Sequence, residues 1–143
     1  SIDEPQRALR YLEEALKLEP KEQDIPSIYS YMGVSLKELE RYGEAIEILR
    51  KAEKYDAERT DIYNLMGFCH FKEKAHEEAI ACFRKVLQLD PGSAIDYANI
   101  ASNYRDMGET EKAIEYYMLA LELDPTIDFA RESLEKLGQA VHN

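Results

Sequence analysis

The sequence predicts an all-α protein in which pairs of antiparallel helices stack one after another as a solenoid. Three observations predict this fold class: similar blocks recur every 34 residues, apolar residues within each block recur at helical spacing, and proline follows several of the blocks. One helix pair of this size cannot bury its apolar face alone. Neighbouring pairs must therefore pack against each other, which is the arrangement of a repeat protein.

Each repeat contains two blocks. The first block is YSYMGVSL from Tyr29, YNLMGFCH from Tyr63 and YANIASNY from Tyr97. The second block is EAIEILRKA from Glu44, EAIACFRKV from Glu78 and KAIEYYMLA from Lys112. A further second block, RALRYLEEA from Arg7, has no first block before it. The chain is therefore predicted to begin with the second helix of a truncated repeat.

The spacing of apolar residues predicts that both blocks are amphipathic helices. In the second block of the first repeat, for example, Ala45, Ile46, Leu49 and Ala52 fall on one helical face. Leu-Asp-Pro at 89–91 and again at 123–125 predicts where two of the second helices end, because proline lacks a backbone donor and disfavours helix in the residue before it. The first repeat has Ala57 in place of this proline.

The middle repeat shows a recognisable pattern with Tyr63, Met66, Gly67, Phe83 and Pro91. This pattern and the 34-residue period resemble the tetratricopeptide repeat (TPR), and the resemblance implies a right-handed superhelix with a concave groove. The predicted organisation is one TPR domain over residues 1–143: a truncated repeat's second helix at 5–22, repeats at 26–59, 60–93 and 94–127, and a capping helix at 128–140. Small residues at Gly33, Gly67 and Ala101 are expected where paired helices approach closely.

Composition limits the classes of function. The 143 residues carry a formal net charge of −11, and no cluster of lysine and arginine offsets it, which argues against nucleic acid and anionic membranes as partners. No apolar run approaches the roughly 20 residues of a membrane-spanning helix, so a cytoplasmic location is expected. Cys69 and Cys82 are too few for a disulfide framework and are expected to be reduced and buried.

The TPR resemblance implies which side chains face the groove. In the second repeat it assigns Tyr63, Met66, Gly67 and His70 to helix packing, and it turns Asn64, Leu65, Phe68, Phe71 and Lys72 toward the groove. Lys37 of the first repeat also falls on the groove side. The residues predicted to bind a partner are Tyr31, Val34, Asn64, Leu65, Phe68, Phe71, Asn99, Ser102 and Arg105.

The main hypothesis is a non-catalytic scaffold that binds a protein partner, as a peptide or helix, in this groove. Phe68 and Phe71 are equally compatible with packing between adjacent first helices or with coverage by a second copy of the chain. Two alternative functions follow: self-association through the terminal helices, giving a homo-oligomer, and a regulatory arm of a larger enzyme. One ligand of the family, the chaperone EEVD peptide, is held by a two-carboxylate clamp of lysines, arginine and asparagines. This chain has Ser30, Val34, Leu65, Ile95 and Asn99 at those places, so the required cations are missing and this ligand is not expected.

Sequence features of catalysis or cofactor binding are not found. The glycines stand singly and form no phosphate-binding loop, so no nucleotide cofactor is predicted. His70 and His76 lack the spacing of metal ligands, and we expect His70 to pack inside and His76 to lie on the surface. The sequence therefore predicts that the chain is not an enzyme and uses no cofactor or metal.

Overall fold

The computed structural model describes the backbone of residues 3–142 and the side chains of residues 4–138. In this part of the chain there are eight α-helices and no strand. They form two compact units, Ser1–Lys74 (unit 1) and Ala75–Asn143 (unit 2). The all-α prediction is confirmed.

Unit 1 contains four α-helices and a short 3₁₀ helix. The α-helices are α1 (Asp3–Lys17), α2 (Ile25–Glu38), α3 (Tyr42–Tyr55) and α4 (Thr60–Lys72), and the 3₁₀ helix spans Glu22–Asp24. Helix α2 packs against α1, α3 and α4. All four helices contribute to one apolar core, whose buried members are Leu9, Met32, Leu36, Ala45, Ile46 and Cys69.

Unit 2 repeats the same alternation of helices. Its elements are α5 (His76–Leu89), α6 (Ala94–Asp106), α7 (Thr110–Leu123) and α8 (Asp128–His142). Helix α6 packs against α5 and α7, and α7 packs against α8. The buried apolar residues here include Ile100, Ala113, Tyr117, Ala120 and Ala130. Helices α2, α4 and α6 correspond to first blocks and are called first helices below. Helices α1, α3, α5 and α7 are second helices, and α8 is the helix predicted as the cap.

The second helices of all three repeats are followed by the same aspartate turn, whether or not proline is present. Helices α3, α5 and α7 each stop one residue before an aspartate. The carboxylate oxygen of that aspartate accepts a backbone N–H two residues further on, which closes a local turn. The pairs are Asp56 with Glu58 at 3.0 Å, Asp90 with Gly92 at 3.2 Å and Asp124 with Thr126 at 2.9 Å. Replacing proline by Ala57 therefore leaves the end of α3 unchanged.

The turn after each first helix has one residue in the left-handed region. These residues are Glu40, Lys74 and Gly108, with φ of 58°, 62° and 80°. They are spaced 34 residues apart, so the turn belongs to the repeat. Of the three, only Gly108 adopts this conformation without a steric penalty, because glycine has no Cβ atom.

Close approach of paired helices is confirmed at Gly33. A Cβ atom added there would lie 2.6 Å from Cδ2 of the fully buried Leu49 on α3, closer than carbon atoms pack. Ala101, which occupies the same place in the third repeat, is also fully buried. The small residue is thus a consequence of how tightly α2 crosses α3.

Two single-residue expectations are corrected. Cys69 is buried as expected, but Cys82 is only partly buried. His76 begins α5 and is half-buried, and its Nδ1 atom lies 2.9 Å from Oδ1 of Asn103 on α6. His76 therefore joins two helices of unit 2, so it is not a plain surface residue. The expected burial of His70 is confirmed.

Candidate functional site

The predicted binding residues lie on first helices and divide between the two units. Six of them form what we call the α2–α4 face of unit 1: Tyr31, Val34, Asn64, Leu65, Phe68 and Phe71. The other three form the α6 face of unit 2: Asn99, Ser102 and Arg105. Tyr31 is the most accessible, with 64% of its surface exposed, and Ser102 is the least, with 9%. The other seven are half-buried.

The expected division of α4 into a packing side and an accessible side agrees with the burial. Tyr63, Met66, Gly67 and His70 are all buried. The residues assigned to the other side keep part of their surface accessible. One helix therefore supplies both core and surface, as its 3.6-residue period allows.

A groove opens between α1 and α2 in unit 1. Its volume is about 480 Å³, and two of the predicted binding residues, Tyr31 and Val34, line it. The opposite wall comes from α1, where Tyr11 and Leu12 contribute apolar surface. The charged residues at the rim are Glu4 and Glu38. The groove is thus mostly apolar with an acidic edge.

Phe68, on the α2–α4 face, has three specific neighbours. The ammonium of Lys37, on α2, lies 5.0 Å from the ring centroid, and that of Lys72, on α4, lies 5.5 Å from it. The ring of Tyr42, from α3, meets Phe68 edge to face at 6.3 Å between centroids. Phe68 therefore contacts side chains of three helices and is only partly accessible. Its role in partner binding remains a prediction.

A polar network joins the N-terminal ends of α2 and α4. Arg59 binds both carboxylate oxygens of Asp61 at 3.1 and 2.9 Å, and it donates to Ser27 Oγ at 2.8 Å. The Ser30 hydroxyl donates to Asp61 at 2.8 Å. Partial burial opposes ionisation of Asp61, but the hydrogen bonds from Arg59 and Ser30 outweigh it and hold its pKa below the ordinary value.

The α6 face of unit 2 is closed by a different network. The hydroxyls of Ser102 and the fully buried Tyr117 share a hydrogen bond of 2.7 Å. Arg105 donates from Nη1 to the hydroxyls of Tyr117 and Ser133, at 3.1 Å in each case. Tyr117 lies on α7 and Ser133 on α8, so this network ties three helices together. The structure brings Ser102 and Arg105 together through Tyr117.

Asn99 lies one helical turn before Asn103 and forms a hydrogen bond with it through its backbone carbonyl. Its carbonyl accepts a hydrogen bond of 2.9 Å from the Asn103 side-chain amide. The same amide group contacts His76 through its oxygen. The Asn99 side chain itself is half-buried on the α6 face.

Sequence reasoning missed Arg59 and Tyr117 as organisers of the two faces. A signal for Tyr117 was present, because the equivalent places in the other repeats hold Leu49 and Phe83. A tyrosine among apolar counterparts brings a hydroxyl that needs a hydrogen-bond partner when buried. Arg59 precedes the first block of its repeat, and only the folded structure shows that it reaches Ser27 of the preceding repeat.

Across the described residues, no group of three or more His, Cys, Asp or Glu side chains is placed to hold a metal ion. No helix there combines the length and the apolar character needed to cross a membrane.

Family models identify the repeat. Two tetratricopeptide repeat models match this chain, one over residues 27–59 and the other over residues 58–126. Together they span residues 27–126, the same region in which the blocks recur every 34 residues. The chain belongs to the tetratricopeptide repeat family. No curated protein matches its sequence.

Solved structures share the fold. MamA from Desulfovibrio magneticus RS-1, residues 41 to the end, has a TM-score of 0.86 and 25% identity, covering 96% of this chain and 76% of that chain. YrrB, described as a TPR protein with an unusual peptide-binding site, has a TM-score of 0.84 and 24% identity, covering 93% of this chain and 67% of that one. The first TPR of Spaghetti (RPAP3), bound to the HSP90 peptide SRMEEVD, has a TM-score of 0.79 and 20% identity, covering 84% of this chain and 95% of that one. The predicted all-α TPR solenoid class is confirmed.

Proposed function

We propose that this chain is a non-catalytic protein-interaction scaffold whose first helices bind a peptide or helix from a partner protein. The observation that carries the proposal is the groove of about 480 Å³ beside Tyr31 and Val34. Its volume falls within the range of about 300–1,000 Å³ typical of ligand pockets. Its mostly apolar walls lie on two helices, which suits the apolar side chains of a third helix or an extended peptide.

The other residues of the α2–α4 face extend this contact surface. Leu65, Phe68 and Phe71 provide partly accessible apolar surface next to the groove-lining helix α2. Asn64 offers an amide that can pair with the backbone of a bound segment. Asn99, Ser102 and Arg105 belong to the proposal as a secondary surface, since the polar groups of Ser102 and Arg105 already bond to Tyr117.

Peptide complexes of the same fold support this kind of function. The Spaghetti (RPAP3) domain is bound to an HSP90 peptide, and YrrB is described as having a peptide-binding site. We do not propose the same peptide for this chain, because Ser30, Val34 and Leu65 stand where the family's EEVD-binding pattern requires cations or an amide. A cytoplasmic location and the exclusion of nucleic acid and membrane partners remain predictions from composition.

Affinity capture from the source lysate tests the proposal. The wild type, Tyr31→Ala and a control, Met118→Ala, are compared as baits. Met118 is 52% exposed on the second helix α7, so its truncation removes a similar kind of exposed apolar side chain away from both faces. We expect wild type and Met118→Ala to retain a common set of partners that Tyr31→Ala loses. Equal retention by all three baits would contradict the proposed location of binding.

Self-association is a second candidate because α1 carries exposed apolar side chains. Tyr11 is 71% exposed on α1, and Leu18, which follows it, is 81% exposed. A second copy of the chain packed on α1 would cover this surface. Light scattering over a range of protein concentrations tests it: a mass that rises above 16.5 kDa with concentration supports it, and a constant monomer mass contradicts it.

A further inference from the structure

Two lysine ammonium groups converge on the ring of Phe68. Lys37 comes from the last turn of α2 and Lys72 from the last turn of α4. Both lie within the roughly 6 Å over which a cation is attracted to an aromatic face. We call Lys37, Phe68 and Lys72 the lysine–phenylalanine cluster. Two helices thus place two positive charges around one partly accessible ring.

Neither of these two lysines belongs to an ion pair of the described residues. Among the described residues, neither ammonium lies within 4 Å of a carboxylate, although other lysines and arginines form such pairs. The chain has 29 acidic residues against 18 lysines and arginines, so potential partners are abundant. The cluster therefore holds two ammonium groups outside any ion pair of the described residues, on a protein of net charge −11.

The cluster is not a general feature of the repeat. The places 34 residues after Phe68 and Lys72 hold Ser102 and Asp106. Ser102 bonds to Tyr117, and Asp106 forms an ion pair with Arg105 at 3.0 Å. In unit 2 the equivalent positions are thus neutral or paired. A requirement of helix packing would be expected to recur in each repeat, and this arrangement does not.

We infer that the lysine–phenylalanine cluster binds the side-chain carboxylate of an aspartate or glutamate in the partner segment. The inference rests on the proposed function, because it names the chemistry of a residue held on the α2–α4 face. A lysine side chain loses up to about 2 kcal/mol of rotamer freedom when it is fixed. The attraction to the ring face favours the rotamers that place both ammonium groups beside Phe68. Each ammonium has three donors, and those turned away from the ring can reach carboxylate oxygens.

The surroundings specify the partner further. Leu65 lies one helical turn before Phe68 on α4, and Val34 lies one turn before Lys37 on α2, so each falls on the same helix face as its neighbour. An acidic residue bound at the cluster would therefore have apolar neighbours on the partner that contact Leu65 and Val34. The expected partner segment is an acidic residue flanked by apolar ones.

This site differs from the two-carboxylate pattern of the EEVD ligand. In unit 1 that pattern falls on Ser30, Val34 and Leu65, and none of these is charged. Lys37 is three residues beyond Val34, and Lys72 is four beyond Phe68. The charge that the sequence lacks at the family's usual places is thus present near the C-terminal ends of the same helices.

Selection from a random peptide library tests the inference. The peptides are displayed through their C-termini, so that only side chains supply carboxylates. Three versions of the full chain serve as baits: wild type, Lys37→Gln/Lys72→Gln, and the control Lys51→Gln/Lys54→Gln. The control changes two exposed lysines of α3 and alters the net charge by the same amount. It therefore reproduces the change in net charge without touching the cluster.

We expect wild type and control to select peptides richer in Asp and Glu than those selected by Lys37→Gln/Lys72→Gln. The best acidic peptide should bind the cluster variant about five- to tenfold more weakly, as expected for losing two partly exposed ion pairs. Lys37→Arg/Lys72→Arg retains both charges, so it should retain the acidic preference. This variant also covers the case in which the glutamine variant does not fold.

Two other outcomes overturn the inference in different ways. If all baits select peptides of the same acidic content, or if the control loses the preference equally, the cluster does not bind carboxylates while the scaffold function stands. If none of the baits selects any peptide, the proposed peptide-binding function fails and the inference fails with it. The two failures are therefore distinguishable.

Discussion

The first repeat, in unit 1, and the third, in unit 2, fill the same crossing between a first and a second helix with opposite chemistry. In unit 1, α2 presents Gly33 to Leu49 of α3, and the contact is tight and wholly apolar. In unit 2 the equivalent residues, 68 positions later, are Ala101 and Tyr117. The Tyr117 hydroxyl reaches Ser102, so that crossing is held by a hydrogen bond.

This difference determines what remains on the surface. The tight crossing in unit 1 consumes no polar side chain of the α2–α4 face, and Lys37 and Lys72 keep their charges around Phe68. In unit 2 the larger Tyr117 draws Ser102 and Arg105 into an internal network. The same repeat can thus leave its first-helix face partly accessible or close it with internal hydrogen bonds, according to the residue that its second helix presents.

The largest effect is expected from filling the tight crossing in unit 1. Gly33→Leu places a side chain where even a Cβ atom would lie 2.6 Å from Leu49. Overpacking of this kind costs about 1–3 kcal/mol, and sometimes more. We expect a loss of about 3 kcal/mol in the free energy of unfolding, measured by urea denaturation followed by circular dichroism.

Gly138→Leu is the matched control for this variant. Gly138 also lies in a helix, α8, but a Cβ added there would have no other atom within 4 Å. Removing a helical glycine at an open position stabilises by up to about 1 kcal/mol. The two substitutions should therefore change stability in opposite directions. A similar loss in both would mean that the cost does not come from the contact with Leu49.

Periodicity alone was sufficient to predict the helices and most of the buried side chains. Ala45, Leu49 and Ala52 were placed on one helical face by their spacing, and all three are fully buried. Gly33 was expected at a close approach because a small residue recurs every 34 positions. Such features follow from the local pattern, since a repeated helix pair presents the same positions to its neighbour each time.

Side-chain partners could not be predicted in this way, because they depend on distances between residues far apart in sequence. The hydrogen bond between Ser102 and Tyr117 spans 15 residues, and that between Arg59 and Ser27 spans 32. Ser102 was expected to face a ligand, yet its hydroxyl bonds within unit 2. Its role in partner binding remains a prediction.

Disrupting the hydrogen-bond network of unit 2 is expected to have an intermediate effect on the free energy of unfolding. Tyr117→Phe restores the residue type found at Phe83, the same place in the second repeat, and removes the hydroxyl that bonds to Ser102 and Arg105. Leaving buried polar groups without a partner costs about 1–3 kcal/mol. We expect each of Tyr117→Phe and Ser102→Ala to lower the free energy of unfolding by about 1–2 kcal/mol in urea.

The double variant Ser102→Ala/Tyr117→Phe sharpens this test. Removing both hydroxyls leaves neither of them unsatisfied, so the combined loss should be smaller than the sum of the two single losses by at least about 0.5 kcal/mol. Strict additivity would contradict an energetic link between the two side chains. In that case the α6 face would not be closed by the network, and the contrast with unit 1 would weaken.

The smallest effect on the free energy of unfolding is expected from the ionisation of Asp61 in the polar network of unit 1. The pKa of Asp61 lies below its ordinary value in the folded protein, because hydrogen bonds from Arg59 and Ser30 outweigh the effect of partial burial. A lowered folded-state pKa stabilises the fold fully above the unfolded value of about 3.9. That contribution is lost as pH falls below this value and through the folded-state pKa. Since Asp61 and Arg59 are partly exposed, it should be at most about 1 kcal/mol.

Urea unfolding of wild type and Asp61→Asn at pH 7 and pH 3 measures this contribution. We expect the wild type to be the more stable at pH 7 and the difference to shrink at pH 3. Arg59→Gln removes the guanidinium that favours ionisation, so comparing Arg59→Gln with Arg59→Gln/Asp61→Asn should show a smaller pH-dependent difference. A wild-type advantage that is unchanged or larger at pH 3 would show that the ionised carboxylate does not stabilise unit 1. The wild-type advantage would then come from contacts of Asp61 that do not depend on its ionisation.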